Sequence, residues 1–473
     1  MGWETIISGK EYNPKINLLN SISITDQINT QYRDYALYVL QSRGIPNFYD
    51  SLTPVQRIIL ENSPATFHKT IGLVGEVIRT GLYHHGDSSL AGAISKLARP
   101  FGCSFSILEG DGFFGSPVNP NPSAPRYTSV RINRGVKEII AQHADLNEQN
   151  EEGGHDWLHL EIPVGLLTHI IGIAVGYRTN ILPRKLEDIV EFLQGKNKVL
   201  KPHFKDFSGK IYKYEDHENV WLLESGFEVN TQKKSVRIFD LPPVMRFDSF
   251  MEKIVKKMEH LGVDYKLNNN SQSKCDVTLW FYKSTAAEFT SLSQTLKKLT
   301  QILVKEDVVF IKDGEVRHFD SVKSYLEEFK FHLEQVKLKR LNRDVQNLVT
   351  ELEFLEAKLK FLIYMSDSKR KNEEILEFLT QFSKSISGRL ASIQLIKLST
   401  NHIVETQEEI KFIKEKIKET QKDIKVQESV VKLLRTVPVK KNPAALLVTP
   451  AHPIVKNLDS DIQIFEPSEE EQE

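Results

Sequence analysis

The clearest pattern of hydrophobic positions lies in the last third of the chain, where apolar residues recur at alternating steps of about three and four. The first stripe consists of Leu341, Val345, Leu348, Leu352, Leu355, Leu359 and Leu362. The second stripe consists of Ile403, Ile410, Ile413, Ile417, Ile424, Val431 and Leu434, with Thr406, Thr420 and Gln427 at intervening core positions. Charged residues fill the other positions, as in a coiled coil. The stripes therefore predict two long helices that pair antiparallel as a hairpin.

The patterns elsewhere predict a multidomain α+β protein. Between the stripes, residues 375–398 keep helical spacing without the heptad, which predicts a small helical knob where the chain turns back. Upstream, β-branched runs alternate with helical segments, and the end of the chain combines spaced prolines with acidic residues. We therefore divide the chain into an N-terminal extension (1–24), a mainly helical region (25–150), an α+β domain (151–320), the helical hairpin with its knob (321–435) and an acidic, disordered tail (436–473).

Composition narrows the class of protein. The 473 residues are enough for about three modules. The 62 Lys and Arg residues against 63 Asp and Glu residues argue at first against a dedicated nucleic-acid binder. Two cysteines cannot build a disulfide framework or a cysteine-based zinc site.

The start of the chain lacks the features of an export signal, and the longest uncharged stretch, Ile162 to Tyr177, is shorter than a spanning helix. We expect a cytoplasmic protein without a membrane partner, in which this stretch is buried core.

Motifs for nucleotides and catalytic metals fail in their context. Gly110, Gly112 and Gly115 match G-x-G-x-x-G, but the four prolines that follow forbid the helix that a dinucleotide site requires. We expect a glycine-rich loop that leads into an extended segment. His155 and His159 have the i,i+4 spacing of a metal pair, yet they lack the intervening glutamate of the HExxH motif. The sequence therefore predicts neither a nucleotide site nor a catalytic metal site on this chain.

One basic segment has the chemistry for phosphodiester transfer. Residues 112–137 contain four Arg or Lys residues and no acidic residue, and Arg126 and Tyr127 lie side by side within this run. Arg57 and the pair His84 and His85 lie upstream. An Arg-Tyr pair is, by itself, more often a surface turn. A phenol nucleophile, a cation for the phosphate oxygens and an imidazole are nevertheless the groups that transesterification of DNA needs.

Several motifs, in order, resemble the breakage-reunion subunit of type IIA DNA topoisomerases, the family of the gyrase A protein. The resemblance covers much of residues 30–210 and rests on the segments YRDYALYVLQSRGIPNFYDSLTPVQRIIL, YHHGDSSL, EGDGFFGSP, APRYTSVRI, GIAVGYRTNILP and KPHFKDFSG. It implies a winged-helix DNA-gate domain over 25–150, an α/β tower domain over 151–320, and a long antiparallel coiled-coil arm ending in a C-gate knob over 321–435.

The resemblance also implies roles for individual residues. Tyr127 would attack DNA to form a 5′-phosphotyrosyl bond, and Arg126 would hold the scissile phosphate. Arg57 and His85 would lie near the reacting phosphate, and Ile181 would insert between bases and bend the duplex. Four more residues would contact the DNA: Arg43, Lys69, His84 and Arg131.

The family's ATPase and its metal-binding acidic module have no counterpart in this sequence. The resemblance therefore implies a separate subunit that hydrolyses ATP and binds Mg²⁺, a homodimer closed through the DNA gate and the C-gate, and double-stranded DNA as the substrate. It predicts relaxation and decatenation rather than gyrase-type supercoiling. Two alternatives remain open: a non-catalytic architectural DNA-binding protein dimerised by its coiled coil, and, less favoured by the failed nucleotide motifs, an enzyme of small-molecule metabolism.

Overall fold

The computed structural model describes residues 32–196, 199–215, 217, 219–365, 372–392 and 400–436. The predicted extension at 1–24 and the predicted tail beyond residue 436 lie outside these residues. Within the described ranges, none of the helices has the length and apolar character needed to cross a membrane. The fold is a mixture of helices and antiparallel strands.

The first part of the chain forms five helices and a small sheet. The helices are α1 (Arg33–Val39), α2 (Pro54–Glu61), α3 (Thr70–Arg79), α4 (Asp87–Leu97) and α5 (Arg134–Ala141), with a π-helical turn at Leu40–Gly44. The strands are β1 (His68–Lys69), β2 (Leu108–Asp111) and β3 (Ser129–Ile132), in the antiparallel order β1-β3-β2. Thr53 and Gln56 form a capping box at the start of α2, and Pro54 occupies the first turn, where a missing N–H is harmless.

The core of this part extends past residue 150. It runs from Phe48 to Leu200 and includes Val308, Phe310 and the first turns of the long helix from Val322. The predicted domain boundary at residue 150 therefore does not coincide with a gap in the hydrophobic core. The reason is that residues far apart in sequence pack together here, and local composition does not record such contacts.

A β-hairpin and a short helix follow: β4 (Ile170–Ala174), β5 (Tyr177–Ile181) and α6 (Leu186–Leu193). The uncharged stretch from Ile162 is buried continuously only up to Leu167, and in β4 exposed positions alternate with buried or half-buried ones. Val164, Leu166 and Leu167 are fully buried, but Ile171 and Ile173 are 63% and 75% exposed. The expectation that the whole stretch is core is thus wrong, because alternate residues of β4 point to opposite faces and one face is uncovered.

The next region contains two further sheets and two helices. Its elements are β6 (Lys210–Lys213), β7 (Val220–Glu224), β8 (Gly226–Asn230), β9 (Ser235–Phe239), α7 (Phe247–His260), β10 (Lys266–Asn269), β11 (Asp276–Trp280), α8 (Ala286–Leu299) and β12 (Gln301–Lys305). One sheet has the order β10-β11-β9-β8 and packs against α7 and α8, and the other has the order β12-β7-β6. The expected mixture of strands and helices is present.

The last part begins with the hairpin β13 (Val308–Lys312) and β14 (Glu315–Phe319) and continues with the helices α9 (Val322–Met365), α10 (Asn372–Leu379), α11 (Lys384–Ala391) and α12 (Thr400–Thr436). Two long helices therefore lie where the two stripes predict them. Their contacts run antiparallel, because Gln427 reaches Glu334 while Glu409 reaches Lys358. The short helices α10 and α11 pack with the end of α9 in a separate apolar cluster around Phe361 and Leu390.

Candidate functional site

Tyr127 lies in a tight turn directly before β3. Its backbone N–H donates to the Ala124 carbonyl at 2.9 Å, and its side chain is 65% exposed. The guanidinium carbon of Arg126 lies 4.7 Å from the centroid of the phenol ring. The next residue, Thr128, is buried and shares a 2.8 Å hydroxyl hydrogen bond with Thr70 at the start of α3. The turn is thus fastened to the fold on one side while a phenol and a cation face outward together.

The glycine-rich loop supports this turn. Gly112 and Gly115 have φ values of +105° and +89°, which L side chains rarely adopt. A Cβ at Gly115 would lie 2.7 Å from the Pro120 carbonyl oxygen, and the Ser123 N–H donates to the Phe113 carbonyl at 2.9 Å. Residues 112–126, all of them described, contain no helix. The prediction of a loop that leads into an extended segment is therefore confirmed.

Arg57 does not point freely toward a substrate. Its Nε donates to Asp50 Oδ2 at 2.7 Å, and its Nη2 donates to Asp50 Oδ1 and to the Leu52 carbonyl, each at 3.2 Å. The Arg57 and Asp50 side chains are 3% and 0% exposed. Only Nη1, which donates to the His155 carbonyl at 3.4 Å, is loosely held. In this structure Arg57 is the cation of a buried ion pair that joins α2 to the loop before it.

His84, His85 and Arg57 all border one cavity. This cavity has a volume of about 540 Å³. Arg43 Nε lies 3.1 Å from His85 Nε2, and Arg43 Nη2 lies 2.8 Å from His85 Nδ1. Burial, followed by the charges of Arg43 and His84, lowers the pKa of His85 below that of an ordinary histidine. This shift favours the neutral imidazole, which can accept a hydrogen bond or a proton.

The predicted catalytic residues fall into two groups, one at the cavity and one at the turn that holds Arg126 and Tyr127. Arg57, His84 and His85 line the cavity, whereas its lining, drawn from the described residues, does not include Tyr127. Arg43 joins the first group through its contact with His85. Sequence patterns do not indicate the Arg43–His85 pair, because these residues lie 42 positions apart in different motifs. They do not indicate the pairing of Asp50 with Arg57 either, although both residues lie in one motif.

The remaining predicted DNA contacts occupy varied environments. Lys69 is exposed on β1 and pairs in register with Ser129, two residues after Tyr127. Arg131 is paired with Glu109 on the neighbouring strand at 2.6 Å and lies 4.4 Å from the centroid of the Phe67 ring. Ile181 is fully buried at the base of the β4–β5 hairpin. Its side chain cannot touch DNA unless this hairpin moves.

Comparison with known proteins extends the resemblance to most of the chain. Residues 43–437 match the family model that describes the A subunit of DNA gyrase/topoisomerase IV. The chain belongs to this family. The match includes every predicted site residue and both long helices.

Individual relatives of the family agree. The chain is 28% identical over 259 residues to the DNA topoisomerase medium subunit of Enterobacteria phage T4, covering 52% of this chain and 57% of the relative. It is 28% identical over 307 residues to the DNA gyrase A protein of Buchnera aphidicola, covering 56% and 36%. It is 33% identical over 225 residues to the DNA gyrase A protein of Borreliella burgdorferi, covering 42% and 27%. The chain thus spans little more than half of the first relative and less of the others.

A solved structure shows the same fold. The DNA-binding, cleavage and re-ligation domain of Plasmodium falciparum topoisomerase II superposes with a TM-score of 0.68 at 20% sequence identity. The match covers 86% of this chain and 64% of that one. At this identity the likeness establishes the arrangement of the family fold and leaves residue roles to chemical argument.

Proposed function

We propose that the chain is the DNA-cleaving and rejoining subunit of a type II DNA topoisomerase, with Tyr127 as the nucleophile. The observation that carries this proposal is the outward-facing phenol of Tyr127 beside the Arg126 guanidinium, inside the region that matches the family. A buried tyrosine could not approach a DNA phosphate, whereas the Tyr127 side chain is 65% exposed.

The proposed reaction is a reversible transesterification. The Tyr127 phenol loses its proton and its oxygen forms a bond to the scissile phosphorus, the bond from phosphorus to the deoxyribose 3′ oxygen breaks, and that oxygen takes up a proton. The 5′ phosphate is then linked to tyrosine. Attack by the 3′ hydroxyl reverses each step, so the phosphodiester bond energy is conserved. Arg126 would place its charge on the phosphate oxygens, where negative charge builds up in the transition state.

The cavity that holds Arg57, His84 and His85 is the proposed second half of the site. Because Tyr127 does not line the cavity of its own chain, we propose that a homodimer supplies both halves to each cleaved strand. Arg57 would act through the rigid loop that it fixes and through its loosely held Nη1. His85 would offer its lone pair near the reacting phosphate, and Lys69, His84 and Arg131 would contact the flanking backbone.

Ile181 remains the proposed wedge that bends the duplex, but its burial sets a condition. The β4–β5 hairpin would have to shift on the DNA for this side chain to emerge. The exposed Ile171 and Ile173 lie on the opposite face of the same hairpin. Insertion of an apolar side chain costs a few kcal/mol of base stacking, which the added contacts of bent DNA offset.

The proposed architecture follows the family. Residues 25–150 would form a winged-helix DNA gate, 151–320 a tower, and 321–435 a coiled-coil arm with a C-gate knob that closes the dimer. Within the described residues, no group of three or more His, Cys, Asp or Glu side chains is arranged to hold a metal ion. As the family resemblance implies, a separate subunit would bind Mg²⁺ and hydrolyse ATP. The complex would relax and decatenate DNA in the cytoplasm.

Trapping the covalent intermediate tests this function. The chain is incubated with supercoiled DNA, the partner subunit, Mg²⁺ and ATP, and is then denatured and treated with protease. Cleaved DNA that carries protein should form with the parent chain and disappear with Tyr127→Phe. Tyr282→Phe is the matched control, since this tyrosine is also exposed (63%) but lies between β11 and α8, away from the basic segment. Equal cleavage by Tyr127→Phe and the parent would refute the function and favour an architectural DNA-binding protein.

A further inference from the structure

The Arg43–His85 pair has a geometry that selects one protonation state of the imidazole. The guanidinium can only donate hydrogen bonds, and it lies within 3.1 Å of both ring nitrogens. A neutral imidazole has one lone pair to accept such a bond, whichever tautomer is present. A protonated imidazolium has none, and it would also face a second cation. The contact with Arg43 is therefore favourable only while His85 is neutral.

The turn that carries Arg43 is held by a close contact between the backbones of Gly44 and Gly172. This turn is the π-helical turn Leu40–Gly44, which is pressed against strand β4 of the hairpin. A Cβ at Gly44 would lie 2.7 Å from Ala174 Cβ, and a Cβ at Gly172 would lie 1.7 Å from the Gly44 carbonyl oxygen. Only glycine at both positions allows the two backbones to meet. The position of the Arg43 backbone is thus set by the position of the β4–β5 hairpin.

We propose that Arg43 is a positioning residue that orients His85 in its neutral form, and that the Gly44–Gly172 contact links this pair to the β4–β5 hairpin. Because only the proposed function places His85 near the reacting phosphate, this role rests on that function. It differs from the backbone contact to DNA that the family resemblance implies for Arg43. The β4–β5 hairpin would then affect the site in a second way, because a shift of the hairpin on DNA would change the contact between Arg43 and His85.

The electrostatic surroundings give the sign of the expected effect. Burial is the largest cause that lowers the pKa of His85, and Arg43 and His84 add to it. Other charged or titratable groups border the same cavity: Tyr38 from α1, Arg57 from α2, Tyr83 before His84, Glu152, His155 and Asp156 from the loop after α5, and Asp313 from the β13–β14 turn. The Tyr83 ring lies 5.4 Å from the His85 ring, centroid to centroid. These groups remain when Arg43 is replaced by Gln. Loss of the Arg43 charge should therefore raise the pKa of His85 toward its ordinary value.

A histidine titration tests the pair without any assay of activity. The Cε1 signals of ¹³C-labelled histidine are followed against pH in the full chain, and His85 is assigned with a His85→Gln variant. The midpoint of His85 should move to higher pH in Arg43→Gln and stay in place in Arg237→Gln. Arg237 is a matched control because it pairs with Asp276 at the surface of the four-stranded sheet. An unchanged midpoint in Arg43→Gln would overturn the proposal.

The glycine contact is tested by Gly172→Ala, with Gly75→Ala as control because a Cβ there meets nothing within 4 Å. Gly172→Ala should shift the His85 midpoint in the same direction as Arg43→Gln although Arg43 is present. If Gly172→Ala does not fold, Ala174→Leu, which adds bulk at the same contact, replaces it. A shift with Arg43→Gln but with neither hairpin variant would refute the link to the hairpin.

The cleavage assay then separates this role from the proposed function. In Arg43→Gln, cleavage near neutral pH should fall by about 10- to 100-fold, the range expected when a reacting group is misplaced by about 1 Å. Its decline on the acid side should begin at higher pH than in the parent, and Arg43→Lys should restore part of the loss. A shifted His85 midpoint with an unchanged pH profile of cleavage would refute the positioning role alone. A parent chain that forms no covalent complex would refute the function itself.

Discussion

Replacing Arg57 by Met should strongly destabilise the hydrophobic core that runs from Phe48 to Leu200, because the substitution leaves the buried Asp50 carboxylate without its cation. Arg57 makes two hydrogen bonds to Asp50 and one to the Leu52 carbonyl, and both charged side chains are at most 3% exposed. Asp50 would keep the N–H groups of Leu52 and Leu158 at 2.9 Å and 3.1 Å, which satisfy its oxygens but do not neutralise its charge. Removing one partner of a buried pair costs about 3–5 kcal/mol.

The assay is urea unfolding of the full chain, followed by hydrogen exchange at the amides of α2. The matched control is Arg79→Met, since Arg79 and Glu76 form a surface pair with side chains 76% and 57% exposed. A surface pair contributes about 1 kcal/mol or less. If Arg57→Met also lost less than about 1 kcal/mol, the interpretation of Arg57 as a buried structural cation would be wrong. A large loss would mean that reduced cleavage by Arg57 variants must be measured below their unfolding midpoint before it is ascribed to catalysis.

Three further outcomes can be checked. Glu306→Leu should lower the free energy of unfolding by about 3–5 kcal/mol in urea, because it strands Arg184, whose side chain is 2% exposed; a loss below about 1 kcal/mol would contradict this. Gly115→Ala should reduce covalent complex formation, since its Cβ would collide with the Pro120 carbonyl and displace the loop before the Tyr127 turn; full activity would show that the loop does not position this turn. Burial lowers the pKa of His332 to about 3. Below pH 6.5, this histidine therefore binds a proton in the unfolded chain but stays unprotonated in the folded chain until the pH approaches 3. Stability should therefore fall between pH 6.5 and 3, and the fall should be smaller in His332→Phe; equal slopes would disprove the linkage.

The sequence predicts best those features that have a local period or a local motif. The two stripes mark the helices that the structure contains, because each buried position is set by the rise of its own helix. The loop around Gly112 is predictable for the same reason, since the prolines that follow exclude a helix. The resemblance to the family, read from short ordered motifs, is confirmed by the match over residues 43–437.

Contacts between distant segments could not be predicted in this way. The core crosses residue 150 because later segments, including the start of α9, pack on the early helices. The resemblance implies a role for Arg57 near the phosphate, whereas the structure buries its side chain against Asp50 in the same motif and places it beside the distant His155 carbonyl. Ile171 and Ile173 are exposed because no element in the described part of the chain covers that face of β4. A local pattern of hydrophobic residues does not record which distant segments will pack on a given face or leave it open.

The residue that becomes linked to DNA can be mapped directly, which tests the assignment of Tyr127 as the nucleophile. The covalent complex, formed with Mg²⁺ and the partner subunit, is digested with nuclease and protease, and the peptides are sequenced by mass spectrometry. We predict a nucleotide remnant on the peptide that contains Arg126 and Tyr127, attached to the Tyr127 oxygen through a 5′ phosphate. A remnant on any other residue, or on a 3′ phosphate, would contradict it.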